Sequence, residues 1–226
     1  MKRFLLFAVV AFIGITVSAK SKIQVKDYTV GEFTQLVVNG PMRVELTQSD
    51  SHSVSVESDA IEKVNVQCLG GVLLLSVNSK GTDSFNLFKA KVSVKALDKL
   101  TLANAAVLNV ADNFHVSDMA ITAKSASTIY FHPQCSSLDV KAEEASNIVL
   151  TGSAETFTLR CTESSNCQAQ FMKAKSANIY CDGASLAVVN TGTLSAEAHS
   201  ASRVVYIGTP LISKQETSMA SSITAQ

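Results

Sequence analysis

The sequence predicts an all-β protein, a right-handed parallel β-helix (solenoid) with coils of about 19 residues. Three observations carry that prediction. A small-residue pair recurs as Ala126-Ser127, Ala145-Ser146, Ser164-Ser165, Ala184-Ser185, Ala201-Ser202 and Ala220-Ser221, its second members 19, 19, 20, 17 and 19 residues apart. Apolar residues keep the same parity on both sides of each pair, the period-two signature of a half-buried strand. The composition suits stacked sheets: 46% of residues are hydrophobic, but only 6% are aromatic, Trp is absent and Pro occurs three times. A core of Val, Ile, Leu and Ala packs well on pleated surfaces, and few prolines interrupt the ladders.

Taken in chain order, the first segment is a processing signal. Met1-Lys2-Arg3 is a basic start, Phe4 to Val17 is apolar and uncharged, and Val17-Ser18-Ala19 supplies small residues for cleavage after Ala19. Residues 1–19 are therefore expected to be a secretory signal peptide. The apolar run is shorter than the ~20 residues of a spanning helix. No Cys follows it, so no lipid anchor is indicated, and no membrane span is expected in the mature chain. The remainder, 20–226, is expected to be one β-helix domain, less regular over 20–100 and regular over 101–226.

The less regular part holds five strand signals before residue 80: Gln35 to Val38, Met42 to Leu46, Val54 to Val56, Val64 to Val66 and Val72 to Val77. Asn39-Gly40-Pro41 and Gly70-Gly71 are turn signals between them. Lys91 to Val94 follows a polar stretch from Asn78 to Asn86. No Pro-, Gly- or Ser-rich linker separates this part from the repeats. It is expected to continue into the solenoid and to cap it.

Within the repeats, Ile129, Ile148, Cys167, Ala187, Val204 and Ile223 stand two residues after the Ser position, and Phe131, Leu150, Ala169, Val189, Tyr206 and Ala225 four after. Before the Ser stand Ile121, Val140, Leu159, Ile179 and Ala196, then Ala123, Ala142, Cys161, Cys181 and Ala198. These are the expected inward ladders, with neighbouring coils ~4.8 Å apart. Ala105-Ala106 is a degenerate first copy; the last copy, Gln215 to Gln226, is polar and suits a cap. Helical repeats need a longer unit and a 3.6-residue period, and leucine-rich repeats need a Leu/Asn ladder that is missing. The small pairs are expected at corners, where left-handed backbone and Ser-to-backbone hydrogen bonds are common. Six recurring Ser residues without a recurring His or acid do not make a nucleophile.

Five cysteines remain: Cys68, Cys135, Cys161, Cys167 and Cys181. They read mostly as small core residues. Cys161 and Cys181 occupy equivalent positions and should be stacked neighbours, as a reduced pair or a disulfide. The chain has no CxxC, and His52, His115, His132 and His199 are scattered. No metal, cofactor or catalytic residue is expected. With 19 basic and 19 acidic side chains the net charge is zero, so no long-range field gathers nucleic acid.

The stretch Phe33-Thr-Gln-Leu-Val-Val-Asn-Gly-Pro-Met-Arg-Val-Glu-Leu-Thr-Gln resembles the start of the head GIN domain family of putative auto-transporter adhesins. Asp182-Gly183-Ala184-Ser185, Ser200 to Val204 and Tyr206-Ile207-Gly208-Thr209-Pro210 are similar to that family's later segments. The resemblance spans about Asp27 to Ala225. The chain departs from the family where Ser, Glu or Lys replaces Gly before a small pair, and in the looser Ser164-Ser165-Asn166 copy. The resemblance implies an exported Bacteroidetes β-solenoid with an adhesin role, located in the periplasm, on the outer membrane or outside the cell. It carries over no catalytic residues.

Two other readings compete with a non-enzymatic binder of a protein or glycan partner. A carbohydrate-active β-helix would use outward acids and cations; the candidates are Glu143, Glu144, Glu155, Glu163 and Glu197, with Lys124, Lys141, Arg160, Lys173 and Lys175. Acid pairs for glycoside chemistry would stand ~5–10 Å apart. An assembly module would associate through the solenoid ends, where strand edges are unpaired.

Overall fold

The computed structural model describes residues 22–78, 86–110 and 112–226. The expected leader, residues 1–19, lies outside them, as do residues 79–85 of the polar stretch. The first strands are β1 (Gln24–Tyr28), β2 (Gln35–Asn39), β3 (Arg43–Gln48), β4 (Ser53–Ser58), β5 (Val64–Leu69), β6 (Val72–Val77) and β7 (Phe88–Val94). Next come β8 (Lys99–Ala103), β9 (Val107–Val110), β10 (Phe114–His115), β11 (Asp118–Ala123), β12 (Thr128–Phe131) and β13 (Pro133–Ala142). The longest are β14 (Asn147–Cys161), β15 (Asn166–Cys181) and β16 (Leu186–Ala198), followed by β17 (Arg203–Ile207), β18 (Leu211–Thr217) and β19 (Ser222–Ala225).

These strands stack in parallel to form a β-helix. On one face β8, β11, β13, the second half of β14, the second half of β15, the second half of β16 and β18 are successive neighbours. On the other face the order is β9, β12, then the first halves of β14, β15 and β16, then β17 and β19. A short third strip joins β10, β13, β14 and β15. The inward ladders follow the predicted alternation except at the C-terminal coils, where Tyr206 is half-buried and Ala225 is exposed. Ile129, Ile148, Cys167, Ala187 and Val204 are fully buried, as are Ala123, Ala142, Cys161, Cys181 and Ala198. Cys161 partners Cys181 in register, and both are free thiols.

The corner differs in detail from the expectation. The left-handed residues are the one before each small pair and the first of the pair: Ser125 and Ala126 (φ 53° and 60°), Glu144 and Ala145 (54° and 61°), Glu163 and Ser164 (56° and 62°). The Ser itself is inside the coil. Ser127, Ser146, Ser165, Ser185 and Ser202 are at most 2% exposed. Left-handed backbone costs a non-glycine residue ~1–2 kcal/mol. The corner offsets this by continuing the ladder: the amide of Ala126 donates to the Glu144 carbonyl at 2.9 Å, and that of Ala145 to the Glu163 carbonyl at 2.9 Å. Inside, the Ser146 amide donates to Ser165 Oγ (3.1 Å), Ser165 to Ser185 Oγ (3.2 Å) and Ser185 to Ser202 Oγ (3.1 Å). Serine at this position is small enough for the turn and supplies the acceptor that a buried amide requires.

The N-terminal part follows the strand signals but in a non-sequential order. The coil made by β2 and β3 lies between the later β6–β7 pair on one side and β8–β9 on the other. Antiparallel strands finish that end: β5 on β6, β4 on β7 and β1 on β4. Gly70 and Gly71, with φ of 58° and 77°, make the β5–β6 hairpin turn. Positive φ at both central residues matches the right-handed twist of the flanking strands, and glycine reaches it without strain. At the other end, β18 pairs with β16 alone among the described residues, and all seven of its residues are exposed.

Candidate binding surfaces

Because inward positions are occupied by ladders, any site must be built from outward columns, where residues one coil apart stand side by side. On the first face one column runs Lys141, Arg160, Tyr180, Glu197, Glu216, and its neighbour Asp139, Thr158, Asn178, Ser195, Lys214. The Arg160 guanidinium lies 4.4 Å from the centre of the Tyr180 ring, and the His199 ring lies 5.6 Å from it on the next coil. Lys214 Nζ pairs with Glu197 at 2.5 Å and with Glu216 at 3.3 Å. The Lys214 hydrogen bond and the nearby His199 hold the Glu197 carboxyl below the usual carboxylate range. Asp182 is also lowered, first by the Ser200 hydrogen bond and then by the Gly183 amide. A hollow of about 290 Å³ opens among these side chains.

The other acid and cation candidates lie elsewhere. Glu144 and Glu163 occupy the corner row in adjacent coils, and Ser125 Oγ donates to the Glu144 carboxylate at 2.5 Å. Glu143 contributes its backbone carbonyl to Ser146 Oγ at 2.6 Å. Glu155 pairs with Lys175 at 2.5 Å on the third strip, where Lys173 and Cys135 help line a hollow of about 400 Å³. Burial pushes the Cys135 thiol up to about 11. Lys124 is exposed at the end of its strand, its amide bonded to the Leu102 carbonyl. The structure thus spreads the proposed carbohydrate chemistry over a corner, a strip and a face.

Two surfaces were not singled out by sequence reasoning. A hollow of about 630 Å³ lies beside β10 and β11, with Asp98, His115, Asp118 and Asp139 on its walls. Among the described residues no group of three or more His, Cys, Asp or Glu is placed to hold a metal ion. The second surface is on the other face. There the outward column Tyr130, Val149, Gln168, Val188, Val205 is uncharged across five coils. Beside it Phe171 is 73% exposed over a hollow of about 360 Å³. The irregular spacing of 20 and then 17 residues between successive Ser positions was the available signal for this second surface.

Fold and surface together define a parallel β-helix whose repeated residues serve stacking and whose outward faces are available for recognition. The chain belongs to the family described as putative auto-transporter adhesin, head GIN domain, which matches residues 32–210. Among solved structures it is similar to a putative adhesin from Bacteroides fragilis, with a TM-score of 0.79, 17% identity, and 91% of this chain and 97% of that one covered. A putative adhesin from Parabacteroides merdae gives a TM-score of 0.72 at 16% identity, covering 91% of this chain and 96% of that chain. A structure described as a putative lipid binding protein from Parabacteroides distasonis gives 0.68 at 18% identity, covering 90% and 96%. At these identities the likeness is one of fold. No protein with a curated description matches the chain. No helix among the described residues is long and apolar enough to cross a membrane, which says nothing of membrane-spanning β-barrels.

Proposed function

We propose that this chain is an exported, non-enzymatic binding protein of adhesin type. Residues 1–19 act as the leader and 20–226 as a single domain, in the periplasm, at the outer membrane or outside the cell. Its partner is a protein or a glycan. The observation that carries this reading is the uncharged outward column Tyr130–Val149–Gln168–Val188–Val205, in which Tyr130 is exposed, Val149, Gln168 and Val188 are half-buried and Val205 is buried. A sheet face that only meets water is usually polar, and an uncharged patch on a rigid scaffold suits recognition. The family's adhesin description and the adhesin description of the Bacteroides fragilis structure support the same reading.

The test is to apply the purified 20–226 chain to a glycan array and to pull-downs from envelope and host-cell extracts. Saturable binding that weakens in Tyr130→Ser with Val188→Ser supports the proposal. Binding to nothing in either assay sinks it. Turnover of an acidic polysaccharide, abolished by Glu144→Gln or Glu163→Gln, would replace it with the enzyme reading. The assembly reading draws on β18, whose outer edge is unpaired among the described residues and whose Leu211 is 71% exposed. Multi-angle light scattering separates a monomer from an end-on dimer.

A further inference from the structure

The coils of this β-helix are nearly uniform, and uniform stacking leaves little concave surface. The largest break in register lies between β15 and β16, with one-residue shifts also between β14 and β15 and between β16 and β18. Four residues lie between Ala169 and Ala174, whereas one lies between their partners Val189 and Thr191. The coil containing β15 is therefore three residues longer here than the coil stacked beneath it. Phe171, Met172 and Lys173 pair with Thr151, Gly152 and Ser153 of β14 but have no partner on β16, so Phe171 overhangs a step on that side. Beneath it is a hollow of about 360 Å³ lined by Phe171, Gln168, Gln170, Val188, Ile207 and Gln226.

Its chemistry is specific. No charged side chain lines it. Phe171 is 73% exposed, whereas Phe33, Phe114, Phe131 and Phe157 are buried in the core. The side-chain oxygen of Gln170 is buried and has no hydrogen-bond partner among the described residues. A buried amide oxygen without a donor is destabilising unless something supplies one. An aromatic face, amide side chains and an unfilled acceptor form the combination that recognises a pyranose ring. Axial C–H groups lie on the ring face, and hydroxyls donate to and accept from planar amides. The volume is at the lower end of small-ligand pockets, ~300–1,000 Å³, and suits one or two sugar rings.

We propose that the step under Phe171 is a subsite for an uncharged sugar unit of a glycan: Phe171 stacks on the ring, and the Gln170 side chain, its oxygen closed to solvent in the empty hollow, turns to accept a hydroxyl hydrogen bond. The proposal rests on the binding reading above and names its ligand class. An acyl chain would fill the apolar part of the hollow but would leave the Gln170 oxygen without a donor, so the observations favour the sugar.

The test uses the 20–226 chain on immobilised neutral hexose and N-acetylhexosamine oligosaccharides, on sialylated and sulfated oligosaccharides, and on phosphatidylcholine vesicles. Phe171→Ala and Gln170→Met are compared with the unaltered chain, and thermal melts check that both fold. The expected result is selective binding of neutral oligosaccharides, weakened roughly tenfold or more by either substitution, since an aromatic contact and a hydrogen bond into a buried acceptor each account for that much. Neutral-glycan binding unchanged in Phe171→Ala overturns the subsite while leaving the binding function standing. Preference for charged glycans, or vesicle binding that depends on Phe171, overturns the uncharged-sugar assignment. Protein partners in pull-down with no glycan bound overturns it too, and binding to nothing overturns both readings.

Discussion

The Ser165 hydroxyl lies inside the coil and accepts the Ser146 amide at 3.1 Å, while the Ser165 amide donates onward to Ser185 Oγ. Ser165→Ala leaves the Ser146 amide buried without an acceptor, and a loss of about 1–3 kcal/mol in urea denaturation is expected. Gly152 is a second sensitive point. It has a φ of 95°, and an added Cβ would lie 2.2 Å from the Pro133 carbonyl oxygen of the preceding coil. Gly152→Ala is therefore expected to destabilise by roughly 2–4 kcal/mol, whereas Gly31→Ala, with open space around it, changes little. The thiols give a chemical readout. The Cys181 and Cys167 thiols are raised well above the ordinary range, Cys181 by its contact with Cys161 and by burial, Cys167 chiefly by burial. The Cys181 hydrogen bond lowers Cys161, but all three thiols are fully buried, so alkylation at pH 8 should spare Cys161, Cys167 and Cys181 until the chain is denatured. An intact mass two hydrogens short before denaturation would reveal a disulfide instead. Glu197 has a lowered pKa because Lys214 holds its charged form, so its contribution is fully present above the ordinary glutamate value of about 4.3. That contribution is lost as pH falls through the lowered folded-state value. Acid-side melts should show a shallower pH dependence in Glu197→Gln, and the effect should be small because the pair is partly exposed.

At the scale of the elements, the corner is where local strain is exchanged for continuous stacking. Ala145 has a φ of 61° and donates its amide to Glu163. Ala145→Gly should relieve the left-handed strain and raise stability by up to about 1 kcal/mol, and Ala145→Val should lower it by at least that much; thermal melts check both. The alternation Ile121-x-Ala123 and Ile129-x-Phe131 was enough to identify the inward ladders, because burial on one face of a strand imposes a period that the side chains must show. The small pair marked the corner's place but not its geometry. Left-handed backbone at Glu144 and Glu163 leaves no compositional trace, since these residues are not the glycines such positions favour. The step at Phe171 was written in the spacing of 20 followed by 17 residues. Spacing alone does not say which side of the coil absorbs the difference, so the site was legible as an irregularity and not as a surface. The scattered acids were legible as charges, but the coil on which each one falls decides its neighbours. Only the register separates the Glu144–Glu163 corner from the Glu155–Lys175 strip.

Over the whole molecule, each coil contacts chiefly its immediate neighbours, so stability is expected to vary along the axis. The central β13 to β16 coils are stacked on both sides, whereas β18 is covered on one side and exposed throughout. Hydrogen exchange should be slowest in β14 and β15 and fastest in β18 and β19, and uniform protection would contradict this picture. The placement of β2 and β3 between the β6–β7 and β8–β9 coils had no sequence signal, because strand alternation reports burial and not the order in which coils stack. Repetition builds the scaffold, and the proposed sugar subsite sits where the repetition breaks. Lengthening the short coil tests this most directly: insertion of three residues between Asn190 and Thr191 would fill the step beneath Phe171. Binding of neutral oligosaccharides and the thermal midpoint would be measured on the same preparation. The account predicts an unchanged midpoint with binding abolished; full binding with the step filled would contradict it.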